Sequence, residues 1–303
     1  MADGQRQEID EHLRRAIGPG EAESPISRDV ARALGGFPTI GVDPGSITSR
    51  LRNLKSVGMD MHFVWDSPAR VVPAERDVEV RDLFDLLQAR GVPERSDRYC
   101  QAVDAASKGA VRLVNNIPLA TREDFRWHFG QYQRLAESVA SRGVISLREV
   151  ADTAAGGVGD HDGSAPDFPG IAIGDDGNFL WFGEGRHRVA IAQWLNISPI
   201  PVSLGGVNRH WLRETVSRGS GPLEATEARL QEADLSDQDP QRDRAEQWLV
   251  SLDRIDDLPE VRPDPLGIND QVSRAMRAHR AGALDDALAI WRSSATPLDC
   301  RPT

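Results

Sequence analysis

The 303-residue sequence has only two cysteines, Cys100 and Cys300, and only two lysines, Lys55 and Lys108. The cysteines stand far apart with no metal-ligand partner beside them. Neither a disulfide framework nor a zinc motif is therefore predicted, and a reducing, cytoplasmic setting is expected. No apolar run approaches the roughly 18 residues needed to span a bilayer, which excludes a transmembrane helix. The polar start, Met1-Ala2-Asp3-Gly4-Gln5-Arg6-Gln7-Glu8, lacks the basic and apolar stretches of a secretory signal. Positive charge is also in deficit: the formal net charge is −11 and the pI about 5.2. Such a surface repels a polyanion, so DNA is disfavoured as the main ligand. Hydrophobic residues, at 39% of the chain, still suffice for one principal core.

The residues present divide the chain into three regions. Residues 1–36 read as a polar helix and loop, peripheral to the fold. Residues 37–216 carry the core: an extended segment from Ile40 to Ile47 runs into Pro44-Gly45, as a first strand would. Val78, Val80, Leu83, Phe84, Leu86 and Leu87 have the spacing of an amphipathic helix ended by Arg90-Gly91, a packing element. Thr121 is a good N-cap for a long helix over 122–141, with Glu123 and Asp124 in its first turn. The run 144–150 is compatible with a strand or a helical turn. Residues 151–169 are rich in Gly, Ala and Asp and are predicted to form a surface loop; no Gly-Lys-Ser/Thr ending makes it a Walker P-loop. Residues 217–303 change composition, with 17 Asp/Glu against 10 Arg from Gly221 onward. Leu235 to Pro240 reads as a linker and Asn269 to Ser294 as a helical hairpin, giving an acidic helical C-terminal region.

Most information lies between Gly170 and Leu204. Gly170-Ile171-Ala172-Ile173 and Asn178-Phe179-Leu180-Trp181-Phe182 are β-like runs joined by Asp175-Asp176-Gly177, a hairpin signal. Gly183-Glu184-Gly185-Arg186-His187-Arg188 follows and opens a helix that continues to Leu195, with Asn196 as a left-handed cap. Ile200 to Leu204 is a further strand. A helix N-terminus presents unpaired N–H groups and partial positive charge, and glycines before it let the backbone close on a phosphate. Arg186, His187 and Arg188 add donors suited to phosphate oxygens. Three cationic or potentially cationic side chains at a helix start oppose its dipole unless an anion or internal acids offset them. Glu184 beside such a site would hold Mg²⁺ or accept a proton from an attacking hydroxyl; the other reading is that it complements the helix dipole. Asp175 and Asp176 read as turn formers, Trp181 and Trp194 as core, and His210 as a packing residue, the other reading being a contact with the phosphate-bearing ligand.

Gly183 to Ala190 resembles the glycine-Glu-Arg-Arg box of the ParB N-terminal domain and the glycine-His-Arg box of sulfiredoxin and of ParB-fold free serine kinases. Leu135 to Val144 is similar to the ParB helix that ends in a serine, and Ile200-Pro201-Val202 to the strand closing the same unit. The resemblance covers roughly residues 130–206. It implies an α/β (α+β) fold, a ParB/sulfiredoxin-like core of a small mixed sheet with helices, here with helical N- and C-terminal appendages. It also implies ATP or CTP bound through Gly183, Gly185, Arg186, His187 and Arg188. Two departures narrow the function. Arg186 stands where sulfiredoxin has its catalytic cysteine, and the acidic C-terminal region lacks the DNA-recognition helix of partition proteins.

The expectation is a nucleotide-dependent phosphotransferase or nucleotide hydrolase acting on a small hydroxylated substrate, with Mg²⁺. Glu184 and His187 would be catalytic and Glu184 a metal ligand. The alternatives are a non-catalytic nucleotide-gated module that recruits a protein partner through its acidic C-terminal region, and a ParB-like DNA-associated protein or nuclease.

Overall fold

A computed structural model of the chain describes residues 2–18, 24–34, 36–51, 62–66, 71–114, 117–146, 149, 168–183, 185–216 and 221–252. Its elements run α1 (Ala2–Ile17), α2 (Ser27–Ala33), β1 (Thr39–Val42), β2 (Ser49–Leu51), β3 (Val64–Trp65), β4 (Val71–Pro73), α3 (Val78–Gln88), α4 (Asp97–Ser107), β5 (Arg112–Val114), β6 (Ile117–Leu119) and α5 (Arg122–Arg142). They continue with β7 (Gly170–Ile173), β8 (Phe179–Trp181), α6 (Arg186–Leu195), β9 (Ile200–Asn208), α7 (Arg209–Val216), α8 (Pro222–Ala233) and α9 (Asp243–Ser251). The fold is α/β. Seven strands form one mixed sheet in the order β1-β9-β7-β8-β2-β4, with β3 also paired to β9, and β5 and β6 form a separate two-stranded sheet.

The middle of the large sheet is apolar on both faces. All four residues of β7 are buried, as are eight of the nine in β9. Continuous burial of this kind, in place of alternation, marks strands covered on both sides. Strands β7 and β9 run parallel, and their register shifts between Ile171 opposite Leu204 and Ala172 opposite Gly206. Gly205 is the extra residue of that bulge. The ring of Phe182 lies where a Cβ on Gly205 would sit, so the chain leaving β8 is anchored on the sheet just before the glycine motif.

Several helix limits have local causes. Thr121 Oγ1 accepts from Asp124 N while the Asp124 carboxylate accepts from Thr121 N, a reciprocal capping box that starts α5. Asp77 Oδ1 accepts from the amides of Glu79 and Val80 and starts α3. Arg90 and Gly91, both at positive φ, end it. The predicted left-handed cap at Asn196 is present, with φ 54° and ψ 44°.

Three expectations are corrected. The composition change at Ser217 is not a packing boundary. Leu223 and Leu230 of α8 and Ala245 and Trp248 of α9 belong to the same buried cluster as the sheet, and the compact unit runs to Ile255. Nor is the N-terminal region peripheral, since Leu13 and Ala16 of α1 are fully buried. Among the acids that suggested a separate tail, Glu224, Glu232, Asp243 and Glu246 lie on the exposed sides of α8 and α9, whose apolar sides are enough to dock them. Leu235 to Pro240 is not a free linker either. Leu235 N donates to Gly41 O at 2.8 Å, and Gly41 N donates to Asp234 Oδ1 and Ser236 Oγ. This covers the outer edge of β1, which would otherwise expose unpaired backbone groups. The predicted hairpin over 269–294, and residues 151–167 of the predicted surface loop, lie outside the described residues.

Candidate functional site

The hairpin and glycine turn place the start of α6 at one end of the sheet. Gly183 has φ +68° and Gly185 φ +91°, the latter serving as the N-cap of α6 in the left-handed region. A Cβ on Gly185 would stand 2.7 Å from Pro169 Cα, so both conformation and space require glycine there. Having no side chain, Gly185 cannot cap the helix, and the first-turn amides of Arg186 and His187 receive no side-chain acceptor from it. Glu184 lies outside the described residues.

The side chains after the turn separate. Arg186 reaches α3, where its guanidinium pairs with Glu79 and lies 3.8 Å from Asp77. His187 Nε2 is 3.1 Å from Glu79 Oε2 and 3.3 Å from Arg186 Nε. Arg188 does not join them: it is buried and donates through Nη1 to the carbonyl of Ile145 at 2.8 Å. Asp77 also pairs with Arg50 of β2. The acids at the start of α3 and the cations at the start of α6 therefore meet in one cluster, and Tyr132 of α5 closes it from behind, its ring 5.1 Å from that of His187.

Sequence reasoning assigned α3 to packing alone and missed Glu79. The available signal was the pair of acids, Asp77 and Glu79, at the start of a helix buried on its other face. Burial by itself would raise the Glu79 carboxyl, but the hydrogen bond from His187 and the charge of Arg186 outweigh it and hold it at about 2. Glu79 is thus an anion near neutral pH.

His187 Nε2 can serve only one partner at a time. Unprotonated, it accepts from Arg186 Nε–H; protonated, it donates to Glu79. With Nε2–H held by Glu79, Nδ1 is the nitrogen left to take a proton, which is the arrangement a carboxylate-supported base requires. Behind it, burial raises the Tyr132 phenol well above its usual range and keeps it protonated.

The remaining predicted residues lie elsewhere. Asp176 accepts from Asn178 N and Nδ2 and shapes the hairpin turn. His210 is exposed at the start of α7, beyond the far end of β9. At about 3.3 Å per residue that end is more than 10 Å from the glycine turn. Trp181 is buried and Trp194 packs edge-on against Trp248. Among the described residues no three His, Cys, Asp or Glu side chains converge on a metal site, and no helix is long and apolar enough to cross a membrane. No protein-family model, curated protein or solved structure matches the chain.

Proposed function

We propose that the chain is a nucleotide-dependent phosphotransferase or nucleotide hydrolase whose phosphate-binding element is the backbone from Gly183 to His187. One observation carries the reading: an α6 N-terminus without a side-chain cap stands beside the Glu79–His187–Arg186 cluster. Within that cluster Asp77 and Glu79 balance Arg50 and Arg186. Gly185 supplies no side-chain cap to the helix start, and a phosphate group suits that position. His187, its Nε2–H held by Glu79, takes the proton from the attacking hydroxyl of water or of a small acceptor at Nδ1. The oxygen bonds to the terminal phosphorus, the bond to the bridging oxygen breaks, and the nucleoside diphosphate leaves with its charge held by backbone amides. The glycine box and its resemblance to ParB-fold nucleotide sites support ATP or CTP as the donor. Mg²⁺ would arrive on the phosphate oxygens, with Glu184 as the candidate protein ligand.

The capture of Arg186 by Glu79 favours a second reading, a nucleotide-gated module, because phosphate could displace Glu79 from Arg186 without chemistry. Thermal-shift titration with ATP and CTP, with and without Mg²⁺, followed by phosphate-release assays, separates the two. Stabilisation with turnover supports the enzyme, stabilisation alone the module, and no response to any nucleotide refutes both.

A further inference from the structure

A second charged cluster lies one helical turn along α3. Asp82 is only 1% exposed at its side chain, and two arginines from different elements meet it there. Arg98 of α4 pairs with Oδ1 through Nε, and Arg112 of β5 approaches Oδ2 at 2.5 Å through Nη2. A buried carboxylate requires such pairing, but one carboxylate cannot neutralise two guanidiniums. Nearby Asp85 does not make up the difference. Its Oδ2 accepts from Ser96 Oγ and from the Arg98 amide, where the positive end of the α4 dipole offsets it.

Both arginines, together with Asp82, line an open cleft of about 270 Å³ between α3, α4 and β5. Phe125, fully buried, forms part of its floor, and Ala105 and Val111 its sides. Each guanidinium has five N–H donors and gives Asp82 only part of them. The bond to Asp82 holds each fork in place, so little side-chain freedom is left to lose when a second acceptor enters. His128, buried behind Arg112, is pushed down to about 4 by burial and by the Arg112 charge, so it brings no positive charge of its own near neutral pH. His128 and Tyr132, with ring centroids 4.6 Å apart, stand between this cleft and the α6 start.

From the convergence of Arg98 and Arg112 on this cleft we infer a second ligand site, one that binds a small organic carboxylate with a compact apolar tail. Two guanidiniums share the single Asp82 carboxylate, which leaves room for a monoanion as a second acceptor. The two fixed forks match the paired oxygens of a carboxylate. Phe125, Ala105 and Val111 offer the tail an apolar lining, and the volume limits it to a few carbons or one ring. Inorganic phosphate meets the charge but cannot use that lining.

Benzoate, titrated calorimetrically into the full-length protein, tests this, with acetate and inorganic phosphate as comparison ligands. Benzoate should bind with a Kd on the order of 1 mM or tighter, and acetate and phosphate about tenfold more weakly or worse. Arg112→Gln should weaken benzoate binding about tenfold. Arg112→Gln also disturbs a buried pair, so Ala105→Phe is the companion variant. It fills the cleft from an exposed position on α4 and should abolish binding without lowering Tm. Absence of benzoate binding to the wild-type protein, binding that survives Ala105→Phe, or phosphate binding as tightly as benzoate would each overturn the assignment.

Discussion

Replacing Glu79 with Gln removes the charge that holds both Arg186 and His187 and keeps the side chain's size. The Glu79 carboxyl falls from 4.5 to about 2 in the folded chain, which corresponds to at most about 3 kcal/mol. With its side chain 19% exposed at the edge of the cluster, solvent reduces the stabilisation to about 2 kcal/mol. A depressed acid stabilises the fold above its unfolded pKa and loses that stabilisation as pH falls through the folded one. Wild type should therefore exceed Glu79→Gln by about 2 kcal/mol near pH 7, and the gap should close between pH 4.5 and about 2. Urea unfolding across that range measures it. The same substitution acts in opposite directions on function. Removing a negative charge beside the phosphate site should tighten nucleotide binding by about 1 kcal/mol, roughly fivefold, at an effective dielectric near 20 and after screening. Turnover should fall about a hundredfold because His187 loses its supporting carboxylate. A stability gap that does not vary with pH would show that the Glu79 charge is not what binds α3 to α6. Weaker nucleotide binding in the variant would show that phosphate does not sit at the α6 start.

Two substitutions separate backbone from side-chain recognition at the glycine turn. Gly185→Ala introduces a Cβ against Pro169 at positive φ and should cost about 1–3 kcal/mol, with loss of nucleotide-induced stabilisation in a thermal-shift assay. Arg186→Ala, which removes a side chain already committed to Glu79, should weaken nucleotide binding by less than about 1 kcal/mol by calorimetry. His128 governs a different pH window. Its folded value of about 4 lies below the ordinary 6.5, so the unfolded chain takes up the proton first and stability declines as pH falls from 6.5 towards 4. His128→Gln should flatten chemical-denaturation stability across that window and leave the acid limb of Glu79 in place.

Local rules read the chain well wherever local chemistry decided the outcome. The hairpin around Asp175-Asp176-Gly177, the Thr121 capping box, the stop at Arg90-Gly91 and the left-handed Asn196 each depend on residues within four positions of one another. What could not be read depends on distant pairs. Glu79 and Arg186 are 107 positions apart, and a carboxylate in the first turn of α3 is equally well explained by that helix's own dipole. The composition shift at Ser217 misled for a related reason. Composition counts the acids on the exposed sides of α8 and α9, while docking depends on a few buried positions such as Leu230 and Trp248. The turn of Arg188 towards Ile145 left no signal in the sequence, because a buried guanidinium and a phosphate-gripping one have the same neighbours along the chain.

The meeting of two helix starts alters what the glycine motif implies. Read alone, Arg186 and His187 oppose the dipole of α6, and that opposition argued for an anionic ligand. In the fold, Glu79 lies against both and supplies the compensating charge from within the chain. Asp77 and Glu79 in turn suit the start of α3, whose dipole favours acids there. Each helix start thus relieves the other, and the cationic side chains cease to be evidence for a bound phosphate. What still favours an anion is the backbone, where Gly185 offers no side-chain cap and no acid of α3 supplies one. Under the proposed function the two glycines would then determine binding, while Glu79, His187 and Arg186 would govern what happens to the group once bound.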